Sequence, residues 1–314
     1  MKPFRKHVAI AIDGGGIRGV IVTRALMHLE NALSLPVHHI FRLTAGTSTG
    51  SIISAGIANG MTAQEMYQLY VDIGPDVFQK TLRSYLWPLT RYRYSNKPFV
   101  AALKAHFGDR LMGDFWDEKP ATDVVITTFD LKENRDRFIK PWKPEYKDWP
   151  VYKAVLASSS VPTYFPVVDG RFVDGGVGSY SNPCYLAAYE AQFNLGWDPA
   201  ETTLISLGTG RGPYSFDPHK ANHLWAWQWL SPVLDAFLQS AADQQVHLVN
   251  SLFSRLDFRR FQVDLAHPIG MDDVSMIPRL TVYGDELGRM ILNDQTDSAQ
   301  AINPMRVDTE GKDL

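Results

Sequence analysis

AIDGGGIRGVIVTRAL, residues 11–26, is the stretch on which the reading of this chain turns. Gly14, Gly16 and Gly19 satisfy G-x-G-x-x-G, the pattern of a dinucleotide-binding turn. Before it, His7 to Ile12 is a short apolar, branched run that reads as a buried strand. After it, Val22, Ala25, Leu26, Leu29, Ala32 and Leu33 recur at helical spacing as far as Pro36. The glycines therefore sit on a strand-to-helix turn. A dinucleotide site also needs an acid about twenty positions further on to hold the ribose, and Val37 to Gly46 contains none. What remains is a glycine turn whose N–H groups can face another negative charge beside a helix N-terminus.

A second strand is expected at Phe41 to Ala45, followed by GTSTG, residues 46–50, and by an apolar helix over Gly50 to Asn59 closed by Gly60. GTSTG matches the nucleophile elbow G-x-S-x-G. A serine on such a turn is held in strained backbone with its hydroxyl exposed, and small neighbours let the chains pass closely. The helix after it aims unpaired N–H groups at whatever Ser48 attacks. An ordinary α/β-hydrolase places several strands before the elbow, whereas here a single strand-helix unit precedes Ser48, so a different hydrolase architecture is indicated. If the two turns lie on adjacent strands, Gly14, Gly15 and Gly16 can serve as an oxyanion hole, a role worth ~3 kcal/mol per donor in other enzymes.

Further strands are expected at Asp123 to Thr128, Arg171 to Val173, Thr203 to Leu207 and Phe258 to Leu265, with helical patterns between several of them. Alternation of this kind implies a mainly parallel sheet covered on both faces. No repeat or long linker divides the chain, so one domain over residues 1–314 is expected, with a polar, weakly ordered tail from about Asn293.

Composition narrows the class of function. With 31 basic and 34 acidic residues the net charge is -3, which supplies no general field for nucleic acid or an anionic membrane. The single cysteine, Cys184, rules out an internal disulfide framework, points to a reducing compartment and reads as a small packed residue. The N-terminal apolar run is too short for a span, and no later segment supplies ~20 uninterrupted apolar residues. A cytoplasmic protein is expected, with any membrane work peripheral.

A serine nucleophile needs a base, usually histidine. His106, His219, His223, His247 and His267 follow the elbow, and none has a glycine-bounded, strand-end setting. RFVDGGVGSYSNP differs, since Asp174 ends a short strand and meets Gly175 and Gly176 at once. That is either a turn residue before glycine or a group opened to a substrate or another loop.

DGGGIRG (13–19), GTSTG (46–50), ASSSVPTYFP (157–166) and VDGG (173–176), in this order, resemble the patatin-like phospholipase family. LISLGTG (204–210) and FRRFQVDL (258–265) extend the likeness over about residues 5 to 290. The resemblance implies a three-layer α/β/α fold and a Ser-Asp dyad that hydrolyses acyl esters of lipids without a metal or other cofactor. By position, Ser48 is the nucleophile, Asp174 the base and the DGGGIRG backbone the oxyanion site, with Thr49 beside the substrate. Arg18 holds the family's basic position, where it steadies the turn or meets a phosphate. ASSSVPTYFP departs from a more alanine-rich wording, which bears on the pocket wall. An aspartate of ordinary pKa ~3.9 is a weak base for a hydroxyl, so Asp174 must gain basicity from a dry setting, which Phe172, Val173 and Val177 can provide, or from short, well-aligned geometry.

Two aromatic segments remain open. Lys80, Arg83, Arg91, Arg93 and Lys97 interleave with Tyr85, Trp87, Tyr92 and Tyr94, as in a lipid-headgroup interface or a loop packed on the body of the domain. Trp225, Trp227 and Trp229 fit a helix with a core face, or a lid or membrane-dipping surface. The expected substrates are phospholipids, lysophospholipids or simpler acyl esters, with no nucleic-acid partner. The competing reading is a nucleotide- or phosphate-binding module whose serine is incidental.

Overall fold

The computed structural model describes residues 1–81, 84, 91–213, 222–223 and 229–297. Its framework is a seven-stranded sheet in the order β4-β3-β2-β1-β6-β7, with β5 paired to β3. In chain order the elements that position the site are β1 (His7–Ile12), α1 (Gly19–Leu33), β2 (Leu43–Gly46), α2 (Thr49–Ala58), α3 (Ala63–Val77) and α4 (Lys97–Phe107). They are followed by β3 (Asp123–Asp130), β4 (Arg135–Ile139), α5 (Val151–Ser158), β5 (Phe172–Asp174) and α6 (Cys184–Tyr189). β6 (Thr202–Leu207), α7 (Leu230–Leu252), β7 (Asp257–Phe261) and α8 (Ile277–Leu292) complete the set. Strands β3, β2, β1, β6 and β7 run parallel, and β4 and β5 pair with β3 antiparallel.

The period-two alternation of β1 explains the layers. Val8, Ile10 and Ile12 face a large core shared with α1, α2 and α8, whereas Ala9 and Ala11 face a second core shared with α6 and the C-terminal half of α7. Alanines on that second face let α6 lie close to the sheet, with Cys184, Ala187 and Ala188 against Leu43, Ala45 and Val125. Cys184 is fully buried and its thiol is pushed up to about 12 by burial, so it is a packing residue. This is the three-layer α/β/α arrangement with a mainly parallel sheet.

All six expected strands are present, β1 with the expected ends and the others with ends displaced by at most four residues. The missed strand is β4, RDRFI, an edge strand with no apolar alternation. Its Arg137 pairs with Asp130 at 3.2 Å and with Glu133 at 2.7 Å, the charged dressing of a sheet edge. Of the tail, residues 293–297 are tied down: Asp297 donates its N–H to the Arg260 carbonyl at 2.8 Å and pairs with Arg211 at 3.1 Å. Residues 298–314 lie outside the described residues. Among the described residues no helix is long and apolar enough to cross a membrane.

Candidate active site

The register Ile12 to Gly46 between β1 and β2 makes the two glycine-rich turns leave the sheet side by side. Ser48 takes φ 54° and ψ -122°, a strained conformation for a residue with a side chain, and stands at the N-terminus of α2. Its glycine neighbours have a steric reason: a Cβ on Gly50 would lie 2.1 Å from the Ile12 carbonyl oxygen, and one on Gly46 2.1 Å from that of Gly50. Further bonds hold the turn. Ser48 N–H donates to Ser158 Oγ at 2.9 Å, Ser51 Oγ donates to the Ser48 carbonyl at 2.6 Å, and the Thr47 and Thr127 hydroxyls meet at 2.7 Å.

Asp174 reaches the same spot through β3. That strand pairs with β2 over Asp123 to Ile126 and with β5 over Thr128 to Asp130, with Asp174 opposite Thr128. β5 thus takes the place beside β3 that β2 vacates at its Ser48 end. Asp174 N–H donates to the Ser160 carbonyl at 3.1 Å, and Asp174 Oδ1 accepts from Gly176 N–H at 2.8 Å. Oδ2 is buried without an aligned donor, although the Ser48 hydroxyl stands close enough to the carboxyl to favour its ionised form. Burial is the larger effect and pushes Asp174 up to about 6.

The three glycines of the first turn divide their roles. Gly14 N–H donates to the Ser181 carbonyl at 2.9 Å and is thereby engaged within the fold. Of the trio expected to act as donors, Gly15 and Gly16 keep N–H groups without an acceptor among the described residues. Ile17 N–H donates to the Met271 carbonyl at 2.8 Å and anchors the far side of the turn. Arg18 steadies it as well, with Nε donating to the Gly15 carbonyl at 3.3 Å and Nη1 to that of Gly210 at 3.4 Å.

An apolar pocket of about 580 Å³, open mouth included, begins at Ser48 and Gly16 and runs along α3 past Tyr70, Gly74 and Val77 to Phe78, Phe99 and Phe165. ASSSVPTYFP does contribute to its wall, through Ser159, Val161, Tyr164 and Phe165. Thr49 lines the pocket, but its hydroxyl bonds that of Tyr70, which also donates to the Thr49 carbonyl at 3.1 Å. His106, His223, His247 and His267 are all exposed and line none of it, and His219 lies outside the described residues. Among the described residues no group of three or more His, Cys, Asp or Glu is gathered as a metal centre would require.

The aromatic segments resolve in part. Arg93 and Tyr94 pack on the body: Tyr94 is buried and donates its hydroxyl to Asp272 at 2.7 Å, and the Arg93 guanidinium lies 4.5 Å from the Tyr164 ring centroid. Arg83, Tyr85, Trp87, Trp225 and Trp227 lie outside the described residues, and Trp229 is exposed. Sequence reading passed over Ser158, Ser181, Tyr70, Thr209 and Arg260. The serines and Thr209 lay inside noticed motifs, but nothing in a linear sequence marks a hydroxyl or carbonyl as the partner of one particular N–H.

The chain is similar to several known phospholipases and patatin-like proteins. Intracellular phospholipase A2 of Caenorhabditis elegans is 30% identical over 222 residues, covering 65% of this chain and 19% of that protein. Patatin-like protein 2 of Arabidopsis thaliana is 27% identical over 341 residues, covering 88% of this chain and 82% of the plant protein. The cGAMP-activated phospholipase of Vibrio cholerae is 26% identical over 271 residues, covering 76% and 74%. The chain thus spans about a fifth of the nematode protein and most of the other two. The family model for patatin-like phospholipases matches residues 10–188, more than half of the chain, and the protein belongs to the patatin-like phospholipase family.

Proposed function

We propose that the protein is a lipid acyl hydrolase working through a Ser48-Asp174 dyad in a single domain. The observation that carries this reading is one juxtaposition: a strained serine that lines the head of an apolar pocket, beside a buried carboxylate of raised basicity. Ser48 Oγ attacks the ester carbonyl while Asp174 takes its proton. Negative charge develops on the carbonyl oxygen, and Gly15 and Gly16 N–H with the N-terminus of α2 stabilise it. Asp174 returns the proton to the leaving alcohol, and water then releases the acyl group by the same route in reverse. The bound acyl chain lies along α3, where Leu69, Ile73 and Val77 offer no competing polar group.

Membership of the family and the phospholipases among its relatives support a phospholipid, lysophospholipid or simpler acyl ester as substrate. The nematode relative is described as intracellular, and a cytoplasmic setting with at most peripheral membrane contact goes with this reading. A fluorophosphonate probe tests it. Covalent labelling at Ser48, lost in Ser48→Ala, together with ester turnover lost in Asp174→Asn, is the expected result. No labelling alongside tight nucleotide binding would support the phosphate-binding module, and turnover lost in His267→Ala but retained in Asp174→Asn would replace the dyad by a triad.

A further inference from the structure

We infer that Arg260 is a positioning residue for the reaction, setting the glycine turn through Asp13 so that Gly15 and Gly16 N–H point at the developing oxyanion. This rests on the Ser48-Asp174 reading. Arg260 lies within β7 with its side chain 3% exposed, and it reaches past β6 to β1. Nη1 donates to Asp13 Oδ1 at 2.7 Å and Nη2 to Oδ2 at 2.5 Å, a two-pronged fork on the residue immediately before Gly14. Nη1 also donates to Ser206 Oγ at 2.9 Å, and Ser206 Oγ donates to Asn182 Oδ1 at 3.3 Å. The residue before Asn182 is Ser181, whose carbonyl accepts Gly14 N–H. One guanidinium thus bears on both flanks of the Gly14 peptide.

Stability alone does not call for this arrangement, because a buried ion pair does no better on average than apolar residues of the same shape. The preceding residue makes the contrast. Arg259 ties the N-terminal tail to the sheet, donating to the Lys2 and Pro3 carbonyls at 2.8 Å, and its fork has an evident part in the fold. The Arg260 guanidinium instead bonds Asp13 and Ser206 beside the glycine turn. It fixes the orientation of Asp13, and with it the peptides that follow. Arg260 also neutralises the Asp13 charge; without it, an ionised Asp13 would repel the negative charge forming one turn away. Arg260 does not line the pocket, so it acts through Asp13 and not on substrate.

The test uses the full chain, with kcat and KM on a p-nitrophenyl ester expressed per site titrated by fluorophosphonate. Arg260→Lys keeps the charge and loses the fork; we expect kcat about 10- to 100-fold lower with KM within about twofold. Asp13→Asn with Arg260→Met removes both charges, and we expect it to melt near wild type yet keep the low kcat. A merely structural pair would recover kcat along with stability. Should that double variant not fold, Ser206→Ala deletes one supporting hydroxyl and is expected to lower kcat about threefold or more. Wild-type kcat per site in a folded Arg260 variant or in Ser206→Ala, with Ser48→Ala inactive, overturns this inference alone. Activity persisting in Ser48→Ala overturns the dyad and this inference with it.

Discussion

Thr209 donates its hydroxyl to the carbonyl of Gly14 at 2.6 Å, bolting the loop after β6 to the glycine turn after β1. Gly14 is therefore held at both polar atoms, its N–H by Ser181 and its carbonyl by Thr209. A turn fixed in this way presents the next two N–H groups without reorganising when charge develops, which is where electrostatic stabilisation gains most. Thr209→Val keeps the shape and removes the donor. We expect it to cost about 1 kcal/mol of stability and to lower kcat roughly tenfold, measured by denaturant unfolding and steady-state kinetics. Unchanged kcat with the stability loss present would mean that the turn holds its shape without this bond.

Asp174 has two pH signatures. Its carboxyl is raised from 3.8 to about 6 by burial, and as a base it must be ionised, so kcat/KM should fall as pH drops through about 6. The stability effect runs the other way. Between pH 4 and 6 the folded state holds a proton that the unfolded state has lost, so stability declines as pH rises through that window. Above it, the buried carboxylate costs on the order of 2–3 kcal/mol. Asp174→Asn should therefore be inactive yet melt higher than wild type at pH 8, with the difference vanishing near pH 4. Equal melting temperatures at pH 8 would show that the charge is better solvated than its burial implies.

Ser48 stores strain in its backbone, at φ 54° with a β-carbon attached. Ser48→Ala and Ser48→Gly both remove the nucleophile, but glycine alone relieves the strain. Ser48→Gly is expected to be more stable than Ser48→Ala by about 0.5 kcal/mol, after its greater unfolded-state entropy is counted. Paired denaturant melts check this, and Ser48→Ala as the more stable variant would contradict a strained elbow.

The parts of the site legible in the sequence are those that sterics dictates. Gly46 and Gly50 are small because backbone carbonyls lie where their Cβ atoms would be, and that leaves a readable G-x-S-x-G. Strands β1, β2 and β6 are legible because they are buried on both faces and therefore rich in apolar residues, with only small hydroxyls and the leading His7 among them. Asp174 is legible only with the family in view, since D-G-G is also the wording of any turn. Arg260 was illegible: in FRRF it reads as ordinary strand chemistry, and its partner Asp13 is 247 residues away. The direction of each N–H in the glycine turn was illegible too. Residue type says that Gly14, Gly15 and Gly16 can all serve as donors, and only the packing of Ser181 takes Gly14 out of the set.

Selectivity for the acyl chain should reside in α3. Tyr70, Gly74 and Val77 share one face of that helix, because positions three and four apart stack along it, and all line the pocket. From Tyr70, bonded beside the nucleophile through Thr49, to Val77 the helix rises about 10 Å at 1.5 Å per residue. An extended acyl chain following that wall passes Val77 only if it is long. Val77 is 5% exposed and borders Phe78, so a larger side chain there fills the far part of the pocket and leaves Ser48, Gly15 and Gly16 untouched. Val77→Trp is expected to retain hydrolysis of a p-nitrophenyl butyrate within about threefold while losing roughly 10- to 100-fold on the palmitate, since each excluded methylene forfeits ~0.8 kcal/mol of burial. Some stability will be lost to overpacking, about 1–3 kcal/mol, so the comparison is made per titrated site. Equal losses on both esters would place the acyl chain elsewhere, along the Met271 side of the mouth instead of along α3.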